Sequence, residues 1–123
     1  MTGLRLVAVV DDDESVRESL PDLLKALGFR ANAFASAEDF LSSATLAETN
    51  CLILDIAMPG MTGPELHQEL QRRGLFVPTI FITALKDETV RPHLIEQGAV
   101  DCLFKPFSDT ALQEALGSAL PSE

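Results

Sequence analysis

Basic residues are scarce in this chain. Nine Lys and Arg stand against 19 Asp and Glu, a formal net charge of -10. A field of that sign repels a polyphosphate, so direct nucleic-acid binding is not expected, and adhesion to an anionic membrane surface is equally disfavoured. Long apolar runs are also missing, and no segment suffices to span a bilayer as a helix. The opening Met1-Thr2-Gly3-Leu4-Arg5 lacks the charged, apolar and small-residue pattern of a secretory leader, so a cytoplasmic location is expected. Cysteine is nearly absent. Cys51 and Cys102 lie far apart in apolar segments without a CxxC or Cys/His cluster, and they read as two buried thiols; a disulfide is the alternative.

What is present suits one domain, 1–123, with a single core: 123 residues, 46% of them hydrophobic. No internal repeat or low-complexity tract interrupts it, and Leu120-Pro121-Ser122-Glu123 reads as a terminus or the start of a linker. Three short apolar runs, Leu6–Val10, Cys51–Leu54 and Thr79–Ile82, have the composition of strands buried on both faces. Arg30–Phe34 and Asp101–Phe104 are weaker strand candidates. Between them lie helical patterns. Val16, Leu20, Leu23, Leu24 and Leu27 share one face, with Gly28 as the stop. Thr62 with Glu65 has the spacing of a capping box ahead of Leu66 and Leu70, with Gly74 as the stop; Ser36 with Asp39 resembles one, and Ser108 caps a last helix. Strands alternating with helices predict an α/β fold of five βα units, flavodoxin-like (βα)5, with a parallel sheet in order 2-1-3-4-5 and helices on both faces. Two prolines disturb the pattern. Pro21 falls inside the first helix, where it costs about 3 kcal/mol or forces a kink. Pro92 predicts a short fourth helix that starts late, near Arg91. Phe29, Phe34, Phe40, Phe76 and Phe81 are expected in the core, and His67 and His93 on helix surfaces.

The polar residues gather where strands end. Asp11, Asp12 and Asp13 follow the first strand, Asp55 the third, Thr83 the fourth and Lys105 the fifth. In order 2-1-3-4-5 the first and third strands are neighbours at the switch point, where ligands bind outside the C-terminal strand ends. Carboxylates converging there repel one another unless a cation joins them, and Mg²⁺, which is hard and takes oxygen ligands, suits such a set. An ionised Asp can then attack a phosphoryl group, with Lys105 and Thr83 placed to stabilise its oxygens. Each residue also has an ordinary role. Asp before a helix is usually an N-cap, which is assigned here to Asp13; Asp55 alone reads as a turn former and Lys105 as a solvated side chain. Four strand ends carrying the right groups in the right sheet order favour the chemical reading.

Val-Val-Asp-Asp-Asp-Glu (9–14), Leu-Ile-Leu-Asp-Ile-Ala-Met-Pro-Gly-Met-Thr-Gly (52–63), Phe-Ile-Thr-Ala (81–84) and Lys-Pro-Phe (105–107) resemble the receiver domain of two-component response regulators, the CheY-like superfamily. Gly-Ala-Val-Asp before the fifth strand is similar to the FixJ-like branch. The resemblance implies Asp55 as phosphoacceptor, Asp11 and Asp12 as Mg²⁺ ligands together with Asp55 and the Ala57 backbone carbonyl, Thr83 as switch hydroxyl, and Lys105 paired with the phosphoryl group before a cis Lys105–Pro106 bond. It implies a phosphohistidine on a sensor histidine kinase as donor, an output domain or effector protein as target, and homodimerisation on phosphorylation. Such a chain is not a conventional enzyme, because it catalyses only its own phosphorylation and dephosphorylation.

The pattern departs at Cys102, where the family usually has Tyr or Phe. A thiol is too small to report the switch by filling a pocket, so output is expected through the fourth helix and its loop, or coupling is weak. Ala57 and Leu85 are apolar where the family shapes access for the attacking water, which implies slow to moderate self-dephosphorylation. A phosphatase of the haloacid dehalogenase type would want a second Asp two residues after Asp55, where Ala57 stands. A degenerate receiver serving only as a docking module fits poorly with the intact Asp11, Asp12, Asp55, Thr83 and Lys105 set.

Overall fold

The computed structural model describes residues 4–120; the readings made on Met1–Gly3 and on Pro121–Glu123 lie outside them. The apolar runs form strands: β1 (Leu6–Val10), β2 (Arg30–Phe34), β3 (Cys51–Asp55), β4 (Thr79–Thr83) and β5 (Asp101–Phe104). All pair in parallel, in the order β2-β1-β3-β4-β5. Every residue of β1, β3 and β4 is buried, whereas β2 and β5 lie at the edges and are partly exposed. That difference explains why the edge strands carry weaker apolar signals: Arg30 and Asn32 in β2, and Asp101 in β5, need not be covered on both faces.

The helices are α1 (Glu14–Ala26), α2 (Ala37–Leu41), α3 (Gly63–Arg72), α4 (Val90–Glu96) and α5 (Asp109–Ala119), with a 3₁₀ turn at Leu46–Glu48. Because successive strand residues point to opposite faces, the sheet feeds two core layers. Val7, Val9, Ile53, Ile80 and Ile82 meet Leu20 and Leu24 of α1 and Leu112 and Leu116 of α5. Ala8, Val10, Leu52, Leu54 and Phe81 meet Phe40 of α2, Leu66 and Leu70 of α3 and Leu94 of α4. Cys51 belongs to the first layer and Cys102 to the second, and both are free thiols.

Helix starts follow the predicted chemistry. The side chains of Asp13, Ser36, Thr62 and Ser108 accept from the backbone N–H of Ser15, Asp39, Glu65 and Ala111. At Thr62 the box is reciprocal, since the Glu65 carboxylate accepts from the Thr62 N–H at 2.9 Å. Gly28 and Gly74 follow α1 and α3 at φ 98° and 77°, left-handed values that favour glycine. α4 starts late and is seven residues long, with Pro92 in its first turn, where no helical hydrogen bond is lost. α1 runs unbroken through Pro21, which is buried against the core.

Two expectations fail. Phe76 is 78% exposed: in the irregular segment 75–78 that leads into β4, its neighbours Leu75 and Val77 pack against the core while its own ring stays in solvent. His67 is 5% exposed: it follows Leu66 on the inner side of α3, and its ring meets Phe81 edge-on with centroids 5.5 Å apart. Burial pushes its pKa below the ordinary histidine value, so it sits in the core as neutral imidazole.

Candidate functional site

β1 ends at Val10, and the register places Val10 opposite Leu54, so Asp11 and Asp55 leave neighbouring strands at the same height. Asp55 is the last residue of β3, and Thr83 holds the same place in β4. The ladder continues past each strand end: the Asp11 N–H donates to the Phe34 carbonyl, the Ile56 N–H to Ile82, and the Lys105 N–H to Thr83. Those bonds fix the backbone from which the candidate site side chains project.

The carboxylates of Asp11, Asp12 and Asp55 converge, with one oxygen from each lying within 4.8 Å of the others. Asp11 is fully buried, Asp55 is 6% exposed, and Asp12 is exposed to solvent. Lys105 projects over them from the end of β5. Its ammonium lies 2.9 Å from Asp11 Oδ2 and 3.8 Å from Asp55 Oδ1. Asp11 Oδ1 is engaged as well, accepting from the Asp13 N–H at 2.9 Å. Burial and the charge of Asp11 push the Asp55 carboxyl up to about 7, with Lys105 offsetting part of the rise. Burial alone would lower the Lys105 pKa, but its bond to Asp11 and the nearby charges of Asp11 and Asp55 raise it. Two acidic groups held this close, with one lysine between them, leave negative charge that a hard cation would satisfy.

Thr83 is buried, and its Oγ1 accepts from the Leu85 N–H at 3.0 Å. Ala57 and Leu85 are exposed at the mouth of the site. The peptide bond between Lys105 and Pro106 is cis. Asp13 points away into the helix cap, and its pKa is lowered by the Ser15 hydroxyl and N–H. The sequence-predicted set Asp11, Asp12, Asp55, Thr83 and Lys105 thus gathers at one end of the sheet.

Supporting residues escaped the sequence reading. Gly63 opens α3 directly beneath the site, and its N–H donates to the Ile56 carbonyl at 3.0 Å. A Cβ at this position would lie 2.2 Å from the Asp55 carbonyl oxygen, so only glycine lets the helix approach so closely. Its signal was present as the last residue of the 52–63 motif, without a role attached. Glu38 of α2 accepts from the Met61 N–H at 3.2 Å, tying down the loop after Asp55. Arg17 of α1 donates to the Asp11 carbonyl at 3.1 Å. Neither is visible from spacing alone, because each contact joins separate elements.

Residues 7–117 match the family model of the response regulator receiver domain, and the chain belongs to that family. Nodulation protein W of Bradyrhizobium diazoefficiens is 40% identical over 114 residues, covering 93% of this chain and 50% of that protein. The C4-dicarboxylate transport transcriptional regulatory protein DctR of Rhodobacter capsulatus is 40% identical over 116 residues, covering 93% and 59%. The crystal structure of FixJ-N superposes with a TM-score of 0.85 at 38% identity, over 97% of this chain and 94% of that one. The chain spans about half the length of the curated relatives it matches.

Proposed function

We propose that this chain is a single receiver domain, 1–123, that accepts a phosphoryl group on Asp55 from a phosphohistidine of a sensor histidine kinase, with Mg²⁺ as cofactor. The observation that carries this is the meeting of the Asp55 carboxyl with Asp11, Asp12 and the Lys105 ammonium at the switch point of the sheet.

The donor set fits a hard divalent ion: three carboxylates from two adjacent strands offer oxygens within 4.8 Å of one another. Asp11, Asp12, Asp55 and the Ala57 backbone carbonyl would hold it. When bound, it neutralises the carboxylates and draws charge from a phosphoryl oxygen. Asp55 must be ionised to act. Its carboxylate oxygen then forms the new bond to phosphorus while the phosphorus–nitrogen bond to the donor histidine breaks. The bonding pair leaves with the imidazole nitrogen, which takes a proton from solvent. Lys105 stabilises one oxygen of the transferring group. Thr83, by exchanging its contact with the Leu85 N–H for a phosphoryl oxygen, couples the chemistry to the segment leading into α4. Because Cys102 is small and buried beside β4, the output passes through that segment and the α4–β5–α5 surface. Ala57 and Leu85 offer no side-chain hydrogen bond to an attacking water, which favours slow to moderate self-dephosphorylation; Ala57→Asn should change the decay rate.

In a longer chain the receiver would act on an output domain, with phosphorylation favouring a homodimer; as a separate chain it would act on an effector protein. The cytoplasm, where kinase and regulator meet, is its proposed location. The test is intact mass after incubation with acetyl phosphate. Wild type with Mg²⁺ should gain one phosphoryl group, and both Asp55→Asn and the metal-free protein should gain none. A phosphoryl gain that survives in Asp55→Asn would overturn the assignment.

A further inference from the structure

Lys86 is an exposed lysine three residues beyond Thr83. Its ammonium donates to the backbone carbonyl of Lys105 at 3.0 Å. The Lys105 N–H donates in turn to the Thr83 carbonyl at 2.7 Å. Both backbone groups of Lys105 are therefore held by the end of β4 and the residues that follow it. The Leu85 N–H, bonded to Thr83 Oγ1, belongs to the same short segment.

This grip falls where the chain leaves β5, ahead of Phe107, which packs back against the core. Pro106 follows directly and has no N–H to donate, and α5 begins only at its Ser108 cap. Yet the Lys105 side chain is long and rotamer-rich, and its ammonium has to stay between Asp11 and Asp55, at 2.9 and 3.8 Å. A small displacement of its backbone is magnified at the ammonium, and misplacement by about 1 Å can cost as much as 100-fold in rate. We infer that Lys86 is a positioning residue for Lys105: its ammonium clamps the Lys105 carbonyl and so holds the Lys105 ammonium over the carboxylates. The inference rests on the phosphoacceptor reading, in which Lys105 meets the incoming phosphoryl group.

The experiment compares phosphorylation rates with acetyl phosphate and Mg²⁺, read by intact mass, for wild type, Lys86→Met, Lys86→Arg, Lys105→Met and the double variant Lys86→Met/Lys105→Met. Lys86→Met should react about five-fold more slowly than wild type while unfolding at the same urea midpoint. Lys86→Arg, which keeps a cationic donor, should return to within about two-fold. In the Lys105→Met background, Lys86→Met should cause no further loss, because a residue that acts through another shows no separate effect. A wild-type rate in Lys86→Met, no rescue by arginine, or an equal loss in both backgrounds would each overturn the inference while leaving the Asp55 assignment standing. A wild type that gains no phosphoryl group at all would instead remove the reading beneath it, and the inference with it.

Discussion

α3 and α4 flank the same site and are held to it in opposite ways. α3 begins with a reciprocal capping box between Thr62 and Glu65, buries Gly63, Leu66, His67 and Leu70, and abuts the Asp55 backbone through Gly63. α4 is seven residues long, has no side-chain cap at Thr89 and fully buries only Leu94. Val90 packs partly buried beside it, Gln71 of α3 donates to the Gln97 carbonyl at 3.3 Å, and Arg91 pairs with Asp101 at 2.7 Å on the surface, beside an open cleft of about 750 Å³ lined by Arg91, Pro92, Ile95 and Phe104. The two helices divide the labour. The side that must hold Asp55 still is fixed by backbone contact. The side that follows Thr83 is attached by few buried groups, and such regions open at low free-energy cost.

Substitutions can break this comparison in graded steps. The largest effect should come from Gly63→Ala, because the added methyl cannot coexist with the Asp55 carbonyl unless α3 shifts. Urea unfolding should show a loss of about 3 kcal/mol, and a loss below about 1 kcal/mol would mean that α3 is not seated against the site. Next, Thr62→Ala removes an engaged cap and should cost about 1 kcal/mol. The matching change on the other side, Thr89→Ala, removes no cap bond, since the Thr89 hydroxyl only meets Asp87 at the surface; about 0.3 kcal/mol is expected. Equal losses at Thr62 and Thr89 would erase the distinction between the helices. Hydrogen exchange sharpens it without mutation: the amides of α4 should exchange well before those of α3.

Much of this was legible in the residues. The three central strands are uninterrupted apolar runs because they are covered on both faces, and that single cause made them, and hence the sheet order, readable. Asp11, Asp55, Thr83 and Lys105 were legible because each marks the point where a buried run turns polar. Pro92 announced the late start of α4. His67 was misread because polarity was taken as exposure, whereas a neutral imidazole can offer its edge to Phe81 inside the core. Phe76 departs from expectation because aromatic character does not ensure burial: in an irregular segment its neighbours Leu75 and Val77 take the inward positions and its ring is left outside. The contacts of Gly63, Glu38, Arg17 and Lys86 were hidden for a different reason. They exist only after strands and helices distant in sequence are brought together.

If Asp11 and Asp12, just past β1, share one cation with Asp55 at the end of β3, calorimetric titration of Mg²⁺ into wild type and Asp11→Asn at pH 8 and pH 6 will show it. Binding at the proposed site would require ionised Asp55, whose pKa in the free protein is pushed up to about 7. Affinity should therefore be nearly full at pH 8 and fall about ten-fold at pH 6, where binding should release about one proton to the buffer as Asp55 ionises. Asp11→Asn should bind more weakly than wild type at both values. Equal affinity in wild type and Asp11→Asn would contradict the shared site, and no dependence on pH across this range would contradict the raised Asp55 carboxyl.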